Sequence, residues 1–430
     1  MATIPRPSIV HVAQDRAEIP LPERVTVGLA ALEETAREGL LALSVGLGLA
    51  VVGEIFEEEL TELVGPRGKH DQKRQAYRHG HEDRQLTLGG RRVEVQKPRA
   101  RTKVGEEVEL ESYRCFASRD LLNEAALVRM LAGLSTRRYR SGLEPVGKKV
   151  ESKATARSSI SRRFVAGTRQ KLAELMGRDL SELDLLALFI DGIETAEHMI
   201  VVALGVDADG RKQPLGLWEG STENKSVCQA LLNNLIARGL DPERPLLAVV
   251  DGGKAIRSAL KATFGDRALI ARCRTHKKRN VLDHLPDDQR TFIGHKLDKI
   301  WRGTDAERAE QELRALASQL QSDHPGAAAS LREGLEETLT VTRLGLSPTL
   351  LNTFKSTNPI ESMISVARTV TGNVKRWRDG EMILRWTAAG VLEAEKQFRR
   401  VKGFRDLSLL RAALERTRHP AAKTDSTAVA

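Results

Sequence analysis

The stretch Leu185-Leu186-Ala187-Leu188-Phe189-Ile190-Asp191-Gly192 decides how the rest of the chain is read. Six apolar residues run without a break into an aspartate and a glycine. A short apolar run closed by a breaker fits a strand buried on both faces. The pattern returns at Leu246-Leu247-Ala248-Val249-Val250-Asp251-Gly252. Three further apolar runs lie at His198–Val206, Gln213–Trp218 and Ala268–Ala271, and Ser226–Arg238 has the spacing of an amphipathic helix. Strands grouped this closely, with helices following them, predict an α/β core. In such sheets ligands and catalytic groups gather at strand ends. Asp191 and Asp251 are therefore the first candidates for chemistry. Either one alone could instead cap the next helix, and Asp-Gly-Gly-Lys-Ala-Ile after Val250 could be a capped turn. As a pair on adjacent strands they say more, because their like charges repel unless a cation sits between them.

A third carboxylate is wanted from something packed beside those strands. Ser356-Thr357-Asn358-Pro359-Ile360-Glu361-Ser362 supplies Glu361. Proline fits the first turn of a helix, so Glu361 falls in that turn. The helix dipole alone would also favour an acid there. Three carboxylates suit hard divalent ions, Mg²⁺ or Mn²⁺. Two such ions, roughly 3.5–4 Å apart, serve phosphodiester cleavage by activating a water or a 3′-hydroxyl and stabilising the leaving oxygen.

Charge and composition agree with a nucleic-acid partner. The 430 residues carry 68 Lys/Arg against 58 Asp/Glu, a net charge of +10, which favours a polyanionic partner, either nucleic acid or an anionic membrane surface. The window 71–165 holds 22 Lys/Arg against 12 Asp/Glu, as large an excess as that of the whole chain. Such a local surplus marks where a phosphate backbone could lie, although a solvated surface of paired charges is the plain alternative. Three cysteines exclude a disulfide framework and suit a reducing cytoplasm. No apolar stretch reaches about 18 residues, so no membrane span is expected, and the N-terminus has no h-region of a secretory signal. Aromatics make up only 4% of the chain, which counts against a base-stacking single-strand binder.

Arg272, Arg274, Lys277, Lys278 and Arg279 place five cations within eight residues. Beside Asp251 they suggest phosphate contacts, or else the basic surface of a helix start. Cys273-Arg274-Thr275-His276 among them has metal-like spacing, but zinc would need a second pair, and Cys115 and Cys228 are each alone. His276 reads better as a polar group near the site that touches DNA or orients a ligand.

Ahead of the core, four prolines in residues 1–25 predict a loose arm, and 27–64 has helical spacing. Arg84–Leu88 and Arg91–Gln96 around Gly89-Gly90 predict a hairpin, and Glu107–Tyr113 a further strand. His79-Gly80-His81 reads as a turn. Leu127–Leu134, Thr136–Leu143 and Ser158–Val165 have helix-turn-helix spacing, with Arg137, Arg138, Arg140, Arg157, Arg162 and Arg163 as candidate DNA contacts. An ordinary helical linker with a basic face would read the same way.

Taken together, Phe189-Ile190-Asp191-Gly192, Val249-Val250-Asp251-Gly252, Arg272-Cys273-Arg274-Thr275-His276-Lys277-Lys278-Arg279-Asn280 and Thr357-Asn358-Pro359-Ile360-Glu361-Ser362 resemble the mutator-type transposases of bacterial insertion sequences. The spacings of 60 and 110 residues between the three acids also match, and the resemblance covers roughly residues 70–400. Ser356-Thr357 departs from the two threonines common in the family, and the tryptophans expected within Leu339–Thr353 are missing. The resemblance implies a ribonuclease H-like α/β catalytic core with an all-helical insertion, preceded by helical and small β-rich DNA-binding regions. Asp191, Asp251 and Glu361 would be its metal-holding catalytic triad, with Cys273 and His276 as the family's accessory pair.

The implied organisation is an arm and helical region in 1–70, a β-rich basic region in 71–125 and a helix-turn-helix-like region in 126–180. The core would follow in 181–280, the helical insertion in 281–345, the closing helices with Glu361 in 346–415, and a disordered tail in 416–430. The function implied is binding of terminal inverted repeats followed by cleavage and strand transfer with two Mg²⁺ or Mn²⁺ ions. The partners would be double-stranded transposon ends and target DNA, and a second copy of the chain in a synaptic dimer. The location would be a bacterial cytoplasm at the nucleoid, away from any membrane. Two rivals stand: a structure-selective DNA nuclease that cuts without joining, and a non-catalytic regulator derived from a transposase.

Overall fold

The computed structural model describes residues 40–69, 74, 76–88, 91–118, 123–135, 152–154, 156–195, 198–220 and 222–418. The chain forms two compact units. One comprises residues up to Ala126 together with Thr136–Ile160, the other Leu127–Ser135 together with everything from Ser161.

In the first unit, helix α1 (Leu40–Val64) precedes strands β1 (Ala76–Leu88) and β2 (Arg91–Thr102). These strands pair antiparallel from Ala76 opposite Thr102 to Leu88 opposite Arg91, the hairpin read from the sequence. The expected turn at His79-Gly80-His81 is instead a register irregularity inside β1, where Gly80 takes φ +81°. The strand expected over Glu107–Tyr113 is only Glu107–Val108, β3. The chain then enters helix α2 (Glu111–Ser118). The cause is remote in sequence: the Glu59 carboxylate on α1 accepts from the backbone N–H groups of Glu111 at 2.7 Å and Ser112 at 3.0 Å. Those are the orphan donors of a helix start, and an acid there also suits the helix dipole. Phe56, Leu60, Leu86, Ala100 and Leu110 form the core of this unit. A short strand, β4 (Ser152–Ala154), pairs with β2.

Helices α3 (Asn123–Leu131) and α4 (Arg157–Met176) flank the segment expected to complete a helix-turn-helix. Arg137, Arg138 and Arg140 lie outside the described residues.

The second unit is built on a five-stranded sheet. Strands β5 (Leu185–Thr195), β6 (His198–Asp207) and β7 (Lys212–Gly220) form an antiparallel meander. Strands β8 (Leu246–Val250) and β9 (Ala268–Arg272) add parallel to it, in the order β7-β6-β5-β8-β9. Side chains alternate across the sheet. Leu188, Ile190, Ala248 and Val250 face helices α5 (Lys225–Ala237) and α6 (Lys254–Phe264). Ala187, Phe189, Ile193, Leu247 and Val249 face the other way, onto residues of α13 (Asn358–Thr371) and α14 (Gly380–Glu395). Both faces are covered, which is why the strands read as unbroken apolar runs.

Helix α7 (Arg274–Leu282) leads from β9 into α8 (Asp287–Trp301), α9 (Ala306–Leu320), α10 (Pro325–Arg332) and α11 (Leu335–Arg343). These helices bury a core of their own around Leu297, Leu313, Leu331 and Leu339. Helix α12 (Pro348–Phe354) returns the chain to the sheet, and α15 (Leu407–Arg418) follows α14. The tail expected from 416 is helical through Arg418, and the rest of it lies outside the described residues. Among the described residues no helix is long and apolar enough to cross a membrane.

Candidate active site

The register of the parallel ladder brings the two aspartates together. Ile190 pairs with Val250, so Asp191 and Asp251 are the next residues on neighbouring strands, where strands run about 4.8 Å apart. Asp191 does not end its strand, as the sequence suggested. Strand β5 continues to Thr195 because β6 goes on pairing with it, down to Thr195 opposite His198. Asp191 instead marks where the parallel ladder stops. Alternation puts Asp191 on the side of Phe189 and Ile193, and gives Asp251 the parity of Leu247 and Val249. Both carboxylates thus belong to the face against which α13 packs. Asp251 does not cap α6, since the N-cap is Gly253, without a side-chain cap bond. The Asp191 and Asp251 carboxylates each accept one backbone N–H, from Gly192 and Gly253, both at 2.8 Å.

Glu361 is tied in at the C-terminal end of β9, the end of the sheet that also carries Asp251. Cys273 N–H donates to Val250 O at 2.8 Å, and Arg274 N–H to Lys355 O at 2.9 Å, which ties the turn ahead of α13 to the strand tips. Glu361 sits in the first turn of α13. Thr357, fully buried, is the hub of a small network. Its N–H donates to Cys273 Sγ at 3.4 Å, and its hydroxyl lies 2.5 Å from Glu361 Oε1 and 3.3 Å from His276 Nδ1. A hydroxyl has one proton. The Glu361 carboxylate and Cys273 Sγ, 3.4 Å away, compete for that proton, and His276 Nδ1 shares the oxygen. The ligand atoms of Cys273, His276 and Glu361 lie within 4.8 Å of one another.

The electrostatics follow from this crowding. The Asp191 carboxyl is pushed up to about 6, mainly by burial. The Gly192 N–H and His276 oppose that rise, while the charges of Asp251 and Glu361 add to it. Burial works against a Cys273 thiolate, yet hydrogen bonds from His276 and Thr357 outweigh it and bring the thiol down. The same Cys273 bond raises the His276 imidazole, against its burial. Among the described residues no lysine or arginine pairs with Asp191 or Asp251.

Comparison with known families matches residues 28–401 to the family described as Transposase, Mutator family. The chain belongs to the Mutator family of transposases. A transposase for insertion sequence element ISRM5 of Rhizobium meliloti is 26% identical over 370 residues, covering 84% of this chain and 90% of that protein. A transposase for element IS1081 of Mycobacterium tuberculosis is 26% identical over 385 residues, covering 87% and 91%. One for element IS6120 of Mycolicibacterium smegmatis is 28% identical over 257 residues, covering 57% and 76%.

In this Mutator-family chain three of the five clustered cations, Arg272, Arg274 and Lys277, are buried and do not face a phosphate as the sequence suggested. Arg274 is buried, with Nε bonded to Thr338 O at 2.9 Å, Nη1 to Trp301 O at 2.8 Å and Nη2 to Thr342 Oγ1 at 2.5 Å. Burial brings its guanidinium down to about 10. Lys277 is fully buried, donates to the carbonyls of Ser330 and Glu333, and is brought down to about 8 by burial, with Arg272 adding to the effect. Arg272 bonds Glu333 O at 3.0 Å. These three cations staple β9 and α7 to helices α8, α10 and α11. Lys278 is half-buried and pairs with Asp298 at 2.7 Å, and Arg279 is exposed. On α4, Arg157 and Arg162 are exposed and Arg163 is half-buried.

One acid near the aspartates escaped the sequence reading. Glu223, between β7 and α5, is half-buried, and its carboxyl is raised by burial and by the charges of Asp251 and Asp191. The stretch Ser221-Thr222-Glu223-Asn224 reads as an ordinary polar loop, with no apolar run leading into it.

Proposed function

We propose that this chain cuts DNA at the ends of an insertion sequence and joins the freed ends to new DNA, on a ribonuclease H-like core. Divalent cations held by Asp191, Asp251 and Glu361 would serve the reaction. The observation that carries the reading is the side-by-side placement of Asp191 and Asp251, with the charge of Glu361 bearing on Asp191. An antiparallel meander extended by two parallel strands, with helices on both faces, supports the choice of core.

The donor set fits Mg²⁺ or Mn²⁺. It offers oxygen ligands, and the carboxylates repel one another, with no lysine or arginine paired to Asp191 or Asp251 among the described residues. Two such ions bound there would supply the positive charge that makes a water or 3′-hydroxyl more acidic and offsets charge building on the phosphodiester. Thr357 fixes the orientation of Glu361. His276, whose imidazole is raised by its bond to Cys273, would when protonated add a positive charge beside Glu361 that favours a phosphate. Terminal repeats would be bound by residues before about 180, with Arg157 and Arg162 among the contacts. Two ends must be held at once, so the working form is an oligomer, a dimer in the synaptic complex.

The test uses purified protein, a duplex bearing the element's terminal repeat, and Mg²⁺. Asp191→Asn is expected to abolish cleavage and strand transfer while end binding persists. Cleavage undiminished in EDTA would overturn the reading. Pre-cut ends that fail to join, with cleavage intact, would make the chain a nuclease.

A further inference from the structure

Glu223 stands directly ahead of α5, but it does not cap that helix. Asn224 does so, its Oδ1 accepting from Val227 N–H at 3.0 Å and from the Ser226 hydroxyl at 2.6 Å. Glu223 itself has no hydrogen bond or ion pair among the described residues. Its carboxylate is not turned away into solvent. A β-carbon added to Gly192 would lie 3.0 Å from Glu223 Oε2. One added to Gly253 would lie 2.8 Å from Glu223 Oε1 and 3.3 Å from Asp251 Oδ1. The absence of side chains at Gly192 and Gly253 therefore opens the space this carboxylate occupies. Gly253 has φ −54°, a conformation any residue adopts, so backbone strain does not explain that glycine. A half-buried carboxylate beside two others, with no donor, is costly by itself. A cation would reverse the sign of that cost.

We propose that Glu223 is a fourth carboxylate of the candidate site, donating an oxygen to a divalent cation shared with Asp191 and Asp251. The proposal rests on the metal-dependent reading of the site. On this account the glycines after each aspartate admit a ligand that comes from the far end of β7.

The experiment is a Mn²⁺ titration of the full-length protein without DNA, read from the electron paramagnetic resonance signal of free Mn²⁺. Unfolding in EDTA is followed in parallel. Glu223→Gln keeps the side-chain shape and is expected to weaken Mn²⁺ binding by about tenfold or more. Gly253→Ala should weaken it similarly, because its methyl enters the ligand's space. Glu223→Gln should unfold in EDTA no earlier than wild type. If Asp191→Asn weakens Mn²⁺ binding and Glu223→Gln leaves it at the wild-type value, Glu223 is no ligand and the metal reading stands. If Asp191→Asn also binds like wild type, the metal reading falls and takes the proposal with it. A Glu223→Gln protein that unfolds early in EDTA would assign the residue a structural role instead.

Discussion

Thr357 and Glu361 stand four residues apart at the start of α13, and the hydroxyl of the first reaches the carboxylate of the second at 2.5 Å. The same threonine bonds Cys273 and His276, so two groups from a distant stretch of the chain bear on the orientation of one acid. Cys273 and His276 then act on the candidate site through a shared partner.

Replacing Thr357 with valine keeps the volume and removes the hydroxyl. A hydrogen bond to a charged group is worth about 1.5–3 kcal/mol, equivalent to roughly 10–100-fold in rate if the oriented carboxylate matters to the reaction. Single-turnover end cleavage should fall by that factor while end-binding affinity holds. Thr357→Ser should restore most of the rate. A valine variant that cleaves at the wild-type rate would remove Thr357 from the mechanism.

The metal-free protein should lose stability as pH rises through the range of Asp191. Its folded-state value, about 6, lies above the ordinary aspartate value because of burial and the neighbouring Asp251 and Glu361, against the opposing His276. A raised folded value means stability fully present below the unfolded value and lost on passing up through the folded one. The decline should therefore fall between about pH 4 and pH 6. Glu223 acts in the same direction. Asp191→Asn should flatten that decline in unfolding experiments run in EDTA, and a curve of unchanged slope would contradict the assignment.

Arg274 should behave as a structural cation. Arg274→Met leaves Thr338 O, Trp301 O and Thr342 Oγ1 without their donor. Each stranded buried acceptor costs about 1–3 kcal/mol, so a loss of several kcal/mol is expected in denaturant unfolding. A DNA-contacting arginine would instead leave stability alone and lower affinity, and that outcome would restore the phosphate role.

Arg157, exposed at the start of α4, is the complementary case. Arg157→Ala should leave stability within about 0.5 kcal/mol. It should also lower the slope of log affinity against log salt for terminal-repeat DNA by about one. An unchanged slope would exclude a phosphate contact there.

Much of the architecture was legible in the order of residues. Strands covered on both faces must be apolar throughout, so β5, β6, β8 and β9 announced themselves as runs, and the Asp-Gly pairs marked where the runs broke. Asn358-Pro359 foretold a helix start with Glu361 in its first turn, because proline needs no donor there. Local pattern misled where a partner came from far away. Glu59 turned an alternating segment into helix α2 by meeting its free N–H groups. Helices α8, α10 and α11 drew Arg274 and Lys277 inward by offering carbonyls that outmatched solvent.

By itself, the order of residues determined the periodicities, the breaks and the family, since these depend on neighbours along the chain. Tertiary structure alone decided which acids meet. The pairing of Ile190 with Val250 sets Asp191 beside Asp251, and the parity of a pleated strand chooses their face. The bond from Arg274 to Lys355 draws the α13 turn to the strand tips, and two missing side chains leave room for Glu223. Register, parity and free space are relations between distant segments, and no local stretch of sequence encodes them.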